Sequence, residues 1–196
     1  MSNKTIVFQK IGYLNLEDEI LLYLKTQVEK AFKNYSVRIK IIDSPLSLLS
    51  SEYNREKRYY DGPAILERIY TLGKRKDYFR TLGIINKDIF SKDRNDIVFG
   101  IARLPRNEKY KKNGVALISL TQLRKKERNK PNWGEEFKKR IFKEALHELG
   151  HTFGLHHCKN ECVMQFSNNL KKSDEKPFTF CKQCKNKLNT FFIQNI

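Results

Sequence analysis

The feature that most constrains this chain is that all of its histidines and cysteines are gathered in one segment. The four histidines and four cysteines lie between His147 and Cys184, about one fifth of a sequence of 196 residues. Imidazole and thiolate groups are strong zinc ligands, and the spacings here match those of metal sites. A random distribution would almost never concentrate these residues in this way. We therefore expect this segment to fold around zinc.

The first part of the segment has the pattern H-E-x-x-H-x-x-G-x-x-H, which runs from His147 to His157. On an α-helix, residues four apart share a face, so His147 and His151 can bind one ion together. Gly154 can end the helix in the left-handed region and turn the chain back, so that His157 becomes a third ligand. Three protein ligands leave one position open for water, which indicates a catalytic zinc rather than a structural one.

Glu148 follows the first histidine and can reach water at the zinc without binding the metal itself. Its predicted role is that of a general base, which then carries the proton to the leaving amine. His156 fits no ligand position of the pattern, and we interpret it as a surface residue or as one that supports the ligands. An exchange of roles between His156 and His157 remains the alternative from sequence alone, and a bare H-E-x-x-H pattern can also arise by chance.

The second part contains two short cysteine pairs, Cys158 with Cys162 and Cys181 with Cys184, separated by 18 residues. This layout is common in closed sites where four thiolates hold a structural zinc. Two disulfides or four idle thiols are the alternatives. Disulfides are disfavoured because the chain opens without a secretory signal, which also favours a cytoplasmic location. We expect a second zinc ion here, which fixes the C-terminal tail and does no chemistry.

Met164 is the only methionine besides Met1, and it follows the third predicted histidine ligand by seven residues. A single buried methionine often fills a gap in a core, but a histidine motif followed closely by methionine also fits the Met-turn of metzincins. With the cysteines, the segment resembles the archaemetzincin family of metalloproteases. The residues that carry the resemblance are His147, Glu148, His151, Gly154, His157, Cys158, Cys162, Met164, Cys181 and Cys184.

The resemblance implies a catalytic zinc at the three histidines, Glu148 as the base, a structural zinc at the four cysteines and Met164 in the Met-turn. This chain departs from the family pattern in two ways. It has one residue fewer between Cys158 and Cys162, and one fewer between Met164 and Cys181. Several metzincins also have a tyrosine two residues after the methionine, as a switchable ligand and transition-state donor. This chain has Phe166 there, so that role is missing or filled from elsewhere.

The rest of the sequence alternates between strand-like and helix-like segments. Short apolar runs predict strands at residues 5–11, 37–42, 81–85, 96–102 and 115–120. Amphipathic periods predict helices at residues 16–35 and 64–74, and a long helix that carries the histidine motif. A capping-box pattern of Asn132 and Glu135 indicates where the long helix begins. Residues 45–61 are largely polar and are predicted to be mostly loop.

This order of elements predicts an α/β fold with a largely parallel sheet. The family resemblance implies that the sheet is mixed and metzincin-like, with helices that include the active-site helix. At 196 residues, one catalytic domain and a monomer are expected. We divide it into an N-terminal subdomain of residues 1–154 and a small zinc-stapled C-terminal subdomain of residues 155–196. The sequence has no repeats, no obvious linker and no run that predicts a membrane span.

The chain has 39 basic and 22 acidic residues, a formal net charge of +17. Basic blocks such as Lys74-Arg75-Lys76 could form a nucleic-acid footprint. They lie mostly near glycine or proline, as solvated loops do, and the chain is rich in Ile, Asn and Lys throughout. Ordinary surface charge is therefore the favoured interpretation, and electrostatic selection of acidic peptides is another.

Three functional hypotheses remain. The favoured one is a zinc peptidase, in which strand 115–120 is the sheet edge that pairs with an extended peptide or protein substrate. The second is a zinc-ribbon-like module that binds nucleic acid. Glu148 argues against it, because a purely structural site has no use for a carboxylate beside its ligands. The third is a metzincin-like fold without peptidase activity.

Overall fold

A computed structural model describes residues 4–14, 16, 18–106, 108–124 and 134–194 of the chain. The strands in these ranges are β1 (Thr5–Ile11), β2 (Arg38–Leu46), β3 (Tyr53–Asn54), β4 (Tyr59–Asp61), β5 (Arg80–Ile85), β6 (Ile89–Ser91), β7 (Asp96–Val98), β8 (Gly100–Ala102) and β9 (Gly114–Ser119). The α-helices are α1 (Asp18–Ala31), α2 (Gly62–Arg75), α3 (Glu108–Lys112), α4 (Leu120–Leu123), α5 (Glu135–Thr152), α6 (Leu170–Glu175) and α7 (Lys182–Gln194). Short 3-10 helices lie at Lys33–Tyr35 and Ser50–Glu52.

The larger of two sheets has five strands in the order β2-β1-β5-β9-β8. Neighbouring strands are parallel except for β8 and β9, which are antiparallel. Every residue of β5 and β9 is buried, as expected for parallel strands that are covered on both faces. The mixed, largely parallel sheet predicted from the sequence is therefore confirmed.

Side chains of the larger sheet alternate between its two faces, as the two-residue period of a strand requires. Ala116 and Ile118 of β9 belong to a core that also contains apolar residues of α1 and α5. Val115 and Leu117 of the same strand belong to a second core, which they share with α2. Helix α5 is therefore packed against one face of the sheet, with α2 on the other.

The edge of the larger sheet differs from the prediction. Residues 115–120 were predicted as the edge, but β9 lies between β5 and β8, and β8 is the outer strand. Gly100 of β8 pairs with Ile118, and Ala102 pairs with Ala116. This prediction was wrong because an apolar run shows that a strand is buried but does not show which segments pair with it.

A smaller sheet, in the order β3-β4-β6-β7, was not predicted. Residues 45–61 were predicted to be mostly loop, but they contain the end of β2 and the whole of β3 and β4. The predicted strand 96–102 is divided at Phe99 between β7 of the smaller sheet and β8 of the larger one. Strands of two or three residues carry too little periodicity to be recognised. Their pairing is also distant in sequence, as between Tyr60 and Ile89.

The C-terminal segment packs into the same core as the larger sheet. Met164, Phe180, Leu188 and Phe192 are at most 5% exposed and belong to the cluster that contains Phe153, just after α5. The division into two subdomains at residue 154 stays a prediction. No helix in the described ranges combines the length and the apolar character needed to cross a membrane.

Candidate active site

Helix α5 carries the first histidine motif, and all of its residues from 140 to 152 are buried. The cations on its buried surface have fixed partners. Arg140 forms two hydrogen bonds of 2.6 and 2.8 Å with the carboxylate of Asp174. Lys143 donates to the carbonyl oxygen of Asp174 at 2.6 Å. Because ionic hydrogen bonds of this kind are the stronger ones, they attach α6 to α5 beside the motif.

The helix stops where the sequence predicted. Gly154 has a φ of +85°, a conformation that a residue with a Cβ rarely adopts. Its N–H donates to the carbonyl of His151 at 3.0 Å, and the N–H of Leu155 donates to that of Gly150 at 3.1 Å. This is a Schellman ending, which satisfies the last carbonyls of the helix and turns the chain back. The predicted cap residue at the other end, Asn132, lies outside the described residues.

The turn brings His157 to the two helix histidines. One nitrogen of each of His147, His151 and His157 lies within 4.8 Å of the others, and the Nε2 atoms of His147 and His151 are 3.1 Å apart. Nδ1 of His147 lies 3.0 Å from the carbonyl oxygen of Val163, and Nδ1 of His151 lies 2.7 Å from that of Leu155. Because a carbonyl only accepts hydrogen bonds, Nδ1 carries the proton on both rings and Nε2 is free to bind a metal.

This histidine group fits zinc in distance and in protonation. Two nitrogens of a tetrahedral zinc site with ~2.0–2.1 Å bonds lie ~3.4 Å apart, close to the observed 3.1 Å. Burial lowers the pKa of His147 well below its ordinary value and lowers the pKa of His151 to about 4. Burial, and then the positive charge of Arg94, lowers the pKa of His157. The rings are therefore held in the neutral form that binds metal.

The four cysteines form a second group, whose sulfur atoms all lie within 4.8 Å of one another. Cys158 Sγ and Cys181 Sγ are 3.8 Å apart, which equals the ~3.8 Å between two sulfurs of a tetrahedral zinc site with ~2.3 Å bonds. A disulfide needs ~2.05 Å, and all four cysteines are free. The backbone N–H of Cys181 also donates to Cys162 Sγ at 3.2 Å. The arrangement is suited to one closed metal site.

The segment between the two groups wraps around the histidines. Met164 is fully buried, and its Sδ lies 2.5 Å from where a Cβ on Gly150 would be, so it packs directly against α5. Its carbonyl accepts a hydrogen bond from the N–H of Cys158 at 2.9 Å. The ring of Phe166 contacts that of His157 edge-on, with centroids 5.0 Å apart. The predicted Met-turn residue therefore lies beneath the helix that supplies two of the three histidines.

Glu148, the predicted general base, is only 1% exposed. Its Oε2 is buried and has no hydrogen-bond partner among the described residues. Glu144, one helical turn earlier, is also buried and hydrogen-bonds to it. Burial, and then the negative charge of Glu144, raises the pKa of Glu148 well above its ordinary value, and burial raises the pKa of Glu144. This pair therefore favours a shared proton or a nearby cation.

Strand β8 lies unusually close to these carboxyl groups. A Cβ on Gly100 would be 2.7 Å from Glu148 Cγ and 2.9 Å from Glu144 Oε1. Any larger residue at position 100 would push the edge strand away from α5. Glycine here sets the distance between the strand and the predicted base.

We expect Gly100→Ala to destabilise the protein by about 1–3 kcal/mol, because the added methyl group meets packed side chains that cannot move without strain. The melting temperature should fall by roughly 3–10 °C. Thermal unfolding would measure this, with Ala102→Gly on the same strand to report the ordinary cost of a change in β8. An unchanged melting temperature would show that β8 can move away from Glu148 freely.

Two cavities flank the histidine group. The larger, of about 1050 Å³, extends along β7 and the segment before α6, and the smaller, of about 270 Å³, lies beside β8. Glu148 and Arg94 line both cavities. Phe99 lines the larger one and Ile101 the smaller, so the edge strand follows the cleft. His156 is exposed and lines the smaller cavity, but it is not one of the grouped histidines.

The sequence of this chain is similar to that of a known protein family along most of its length. The sequence matches the model of Peptidase family M54 over residues 6–190. The chain belongs to family M54. The resemblance stated from the sequence motifs is therefore confirmed, and by family the chain is a zinc metallopeptidase.

Relatives of this M54 chain cover nearly its whole length. It is 35% identical over 187 residues to the archaemetzincin of Pyrococcus furiosus, which is 93% of this chain and 91% of that protein. The crystal structure of archaemetzincin from Methanopyrus kandleri superposes with a TM-score of 0.79 at 28% identity, covering 98% of this chain and 97% of that one. The archaemetzincin of Archaeoglobus fulgidus complexed with malonate gives 0.73 at 29% identity, with 93% and 99% covered. These structures confirm the metzincin-like α/β fold.

Three residues that shape the site around the histidine group were not predicted from the sequence. Glu144 lies four residues before Glu148, and a second acidic residue on the apolar face of a helix was a usable signal. An isolated glycine in a strand pattern, such as Gly100, signals a close approach of another element. Arg94 gave no local signal, because it lies in a turn of the smaller sheet, which was not predicted.

Proposed function

We propose that this chain cleaves peptide bonds at the histidine group, with His147, His151 and His157 as ligands of a catalytic zinc and Glu148 as the general base. One observation carries the proposal. Three neutral imidazole groups converge within 4.8 Å beside a buried carboxyl group, at the junction of two cavities that together can hold a peptide on both sides of the scissile bond.

Zinc bound by three ligands would supply Lewis acidity, which polarises the scissile carbonyl and makes water nucleophilic near neutral pH. Glu148 takes one proton from the attacking water as its oxygen adds to the carbonyl carbon. It then gives that proton to the amide nitrogen as the carbon–nitrogen bond breaks. Burial, and then the negative charge of Glu144, raises the pKa of Glu148, which suits a group that holds this proton between the two transfers.

Strand β8 is the proposed docking edge for the substrate, in place of residues 115–120. Its outer side is unpaired among the described strands. Phe99, just before the strand, lines the larger cavity, and Ile101 and Ala102 line the smaller one. A peptide added to this edge would gain main-chain hydrogen bonds that do not depend on its sequence. The approach of Gly100 to Glu148 would place the peptide backbone beside the base.

The second ion of the proposal is a structural zinc held by the four cysteines, Cys158, Cys162, Cys181 and Cys184. We propose the cytoplasm as the location, because thiols stay reduced there and free to bind metal. A monomer is proposed because both ligand groups are built within one chain.

The direct test is incubation of the purified, zinc-loaded protein with a broad library of unmodified peptides, followed by mass spectrometry. Cleavage that stops on removal of zinc by a chelator and returns with added zinc is the expected result. Absence of cleavage by a protein that contains both ions would favour a metzincin-like fold without peptidase activity.

We expect two zinc ions per chain that differ in lability. The histidine site should lose its ion to a chelator first, because it has three protein ligands and an open position, whereas the four-thiolate site is closed. Elemental analysis during stepwise chelation would measure two steps, with hydrolysis lost in the first. A total of one zinc, or loss of both ions in a single step, would contradict this division.

A further inference from the structure

Arg94 lies in the turn between β6 and β7, residues 92–95, and this turn is well anchored. Ser91 pairs with Asp96 at its base, and the N–H of Asn95 donates to the carbonyl of Lys92 at 3.3 Å. Lys92 forms a 2.7 Å ion pair with Asp61, the N-cap residue of α2. The position of Arg94 is therefore set by the smaller sheet and its contact with α2.

The side chain of Arg94 is directed over the cleft. Its guanidinium lies 5.5 Å from the centre of the Phe166 ring, and this ring in turn contacts His157. Arg94 and Glu148 are the two described residues that line both cavities. A peptide that spans both cavities would therefore pass Glu148 and Arg94 at the same point of its chain, the scissile bond.

The other described side chains of the cleft, Arg103 and Arg106 among them, line only one of the two cavities. Phe166 is apolar and offers no hydrogen-bond donor. The amine of Lys176 lines only the larger cavity, is buried, and donates to the carbonyl of Gln165. His156 lines only the smaller cavity. Within the described part of the chain, the guanidinium of Arg94 contacts a ring and forms no ion pair with a carboxylate, so its donors remain available to a substrate.

Peptide hydrolysis creates a need for such a donor. When the water oxygen adds to the carbonyl carbon, the π electrons of the carbonyl move onto its oxygen, which becomes an oxyanion until the carbon–nitrogen bond breaks. Donors that face this oxygen stabilise the transition state more than the substrate. A guanidinium offers several N–H donors and stays charged at all working pH values.

We propose that Arg94 is a catalytic residue that donates hydrogen bonds to the oxyanion of the tetrahedral intermediate. The inference rests on the proposed function, since it concerns the same cleavage at the histidine group. Arg94 and Glu148 line the same two cavities, so in this proposal Glu148 handles the proton and Arg94 stabilises the developing negative charge. A bound peptide would exclude water from the cleft and so strengthen this contact.

The test compares Arg94→Ala, Arg94→Lys and Arg55→Ala with the wild type on one peptide that the wild type cleaves. Arg94→Ala should lower kcat by roughly 10²–10³-fold, the usual effect of removing one oxyanion donor, with little change in KM and in zinc content. Arg94→Lys should recover part of the loss. Arg55→Ala is the matched control, because it removes an exposed guanidinium from the turn between β3 and β4 of the same smaller sheet, outside both cavities, and its kcat should stay within about threefold.

A binding measurement gives an answer that does not depend on turnover. Calorimetry with a phosphinic peptide, a tetrahedral anion, should show that Arg94→Ala weakens binding by at least tenfold. A neutral ketomethylene peptide of the same sequence should bind wild type and variant equally. Equal losses for both ligands, a loss confined to KM for peptides with an acidic residue, loss of zinc from the variant, or an unchanged kcat would each overturn the role. A wild type that cleaves no peptide would instead reject the proposed function.

Discussion

Glu148→Gln is expected to lower kcat by about 10²–10⁴-fold while the fold and both metal sites persist. The amide has nearly the same shape as the carboxylate but cannot accept a proton from water. The change also removes the repulsion between Glu148 and Glu144, two buried carboxyl groups whose pKa values are raised by burial. The melting temperature should therefore stay equal to that of the wild type or rise.

The control for this substitution is Glu136→Gln, the same chemical change at an exposed position of the first turn of α5. Steady-state kinetics on one library-derived peptide, with elemental analysis of each variant, would separate loss of catalysis from loss of metal. Undiminished turnover by Glu148→Gln would remove Glu148 from the mechanism. Loss of zinc with turnover would instead assign it a role in holding the metal site together.

Cys184→Ser is expected to destabilise the whole C-terminal segment and to weaken the neighbouring histidine site. Cys184 is buried on α7, and Leu188 and Phe192 of the same helix pack in the main core. A structural zinc contributes up to about 10–16 kcal/mol in small zinc domains. Loss of even a third of this should lower the melting temperature by roughly 10 °C or more in a chain of this size.

Hydrogen bonds and chain adjacency connect the four cysteines to the three grouped histidines. Cys162 accepts from the N–H of Cys181 at 3.2 Å, and the next residue, Val163, accepts from Nδ1 of His147 at 3.0 Å. On the other side, Cys158 is adjacent to His157 in the chain. The group of four cysteines is therefore adjacent to one proposed histidine ligand and helps to orient another, although it contains no proposed catalytic residue.

The experiment compares the zinc affinity of the histidine site and the melting temperature in Cys184→Ser and in Lys185→Ser, the exposed neighbour on α7. We expect the first variant to lose affinity at the histidine site by at least tenfold, in the range typical for groups that orient metal ligands. The second should behave as the wild type. Wild-type affinity and melting temperature in Cys184→Ser would mean that the C-terminal segment is an independent module.

The sequence was sufficient for the parts of the site that lie close together in the chain. The spacing of four between His147 and His151 is a property of the helix itself, and a glycine such as Gly154 ends a helix through its own backbone freedom. The buried strands β1, β5 and β9 were recognisable because parallel strands covered on both faces carry near-continuous apolar runs, such as residues 6–8 and 115–118. Each of these inferences depends only on local physics.

The parts that could not be predicted depend on contacts between distant segments. The order of strands in the sheet, and hence the edge formed by β8, is decided by pairing between residues 100–102 and 116–118. Arg94 reaches the cleft only because the smaller sheet places its turn there. Nothing within a few residues of Arg94 indicates its contact with the cleft. The glycine at position 100 signals that some element approaches the strand, but not which one.

The two outer strands of the larger sheet protect the protein from self-association by different means. β2 is nine residues long, and it carries Lys40, Pro45 and a shift in register against β1, features that hinder another chain from pairing along it. β8 has only three residues. Such a short strand can offer a few hydrogen bonds to a peptide that is also held elsewhere in the cleft, but it is too short to start a shared sheet with a second copy. Strand β8 can therefore remain unpaired on its outer side without the tendency to aggregate that a long unpaired strand would bring.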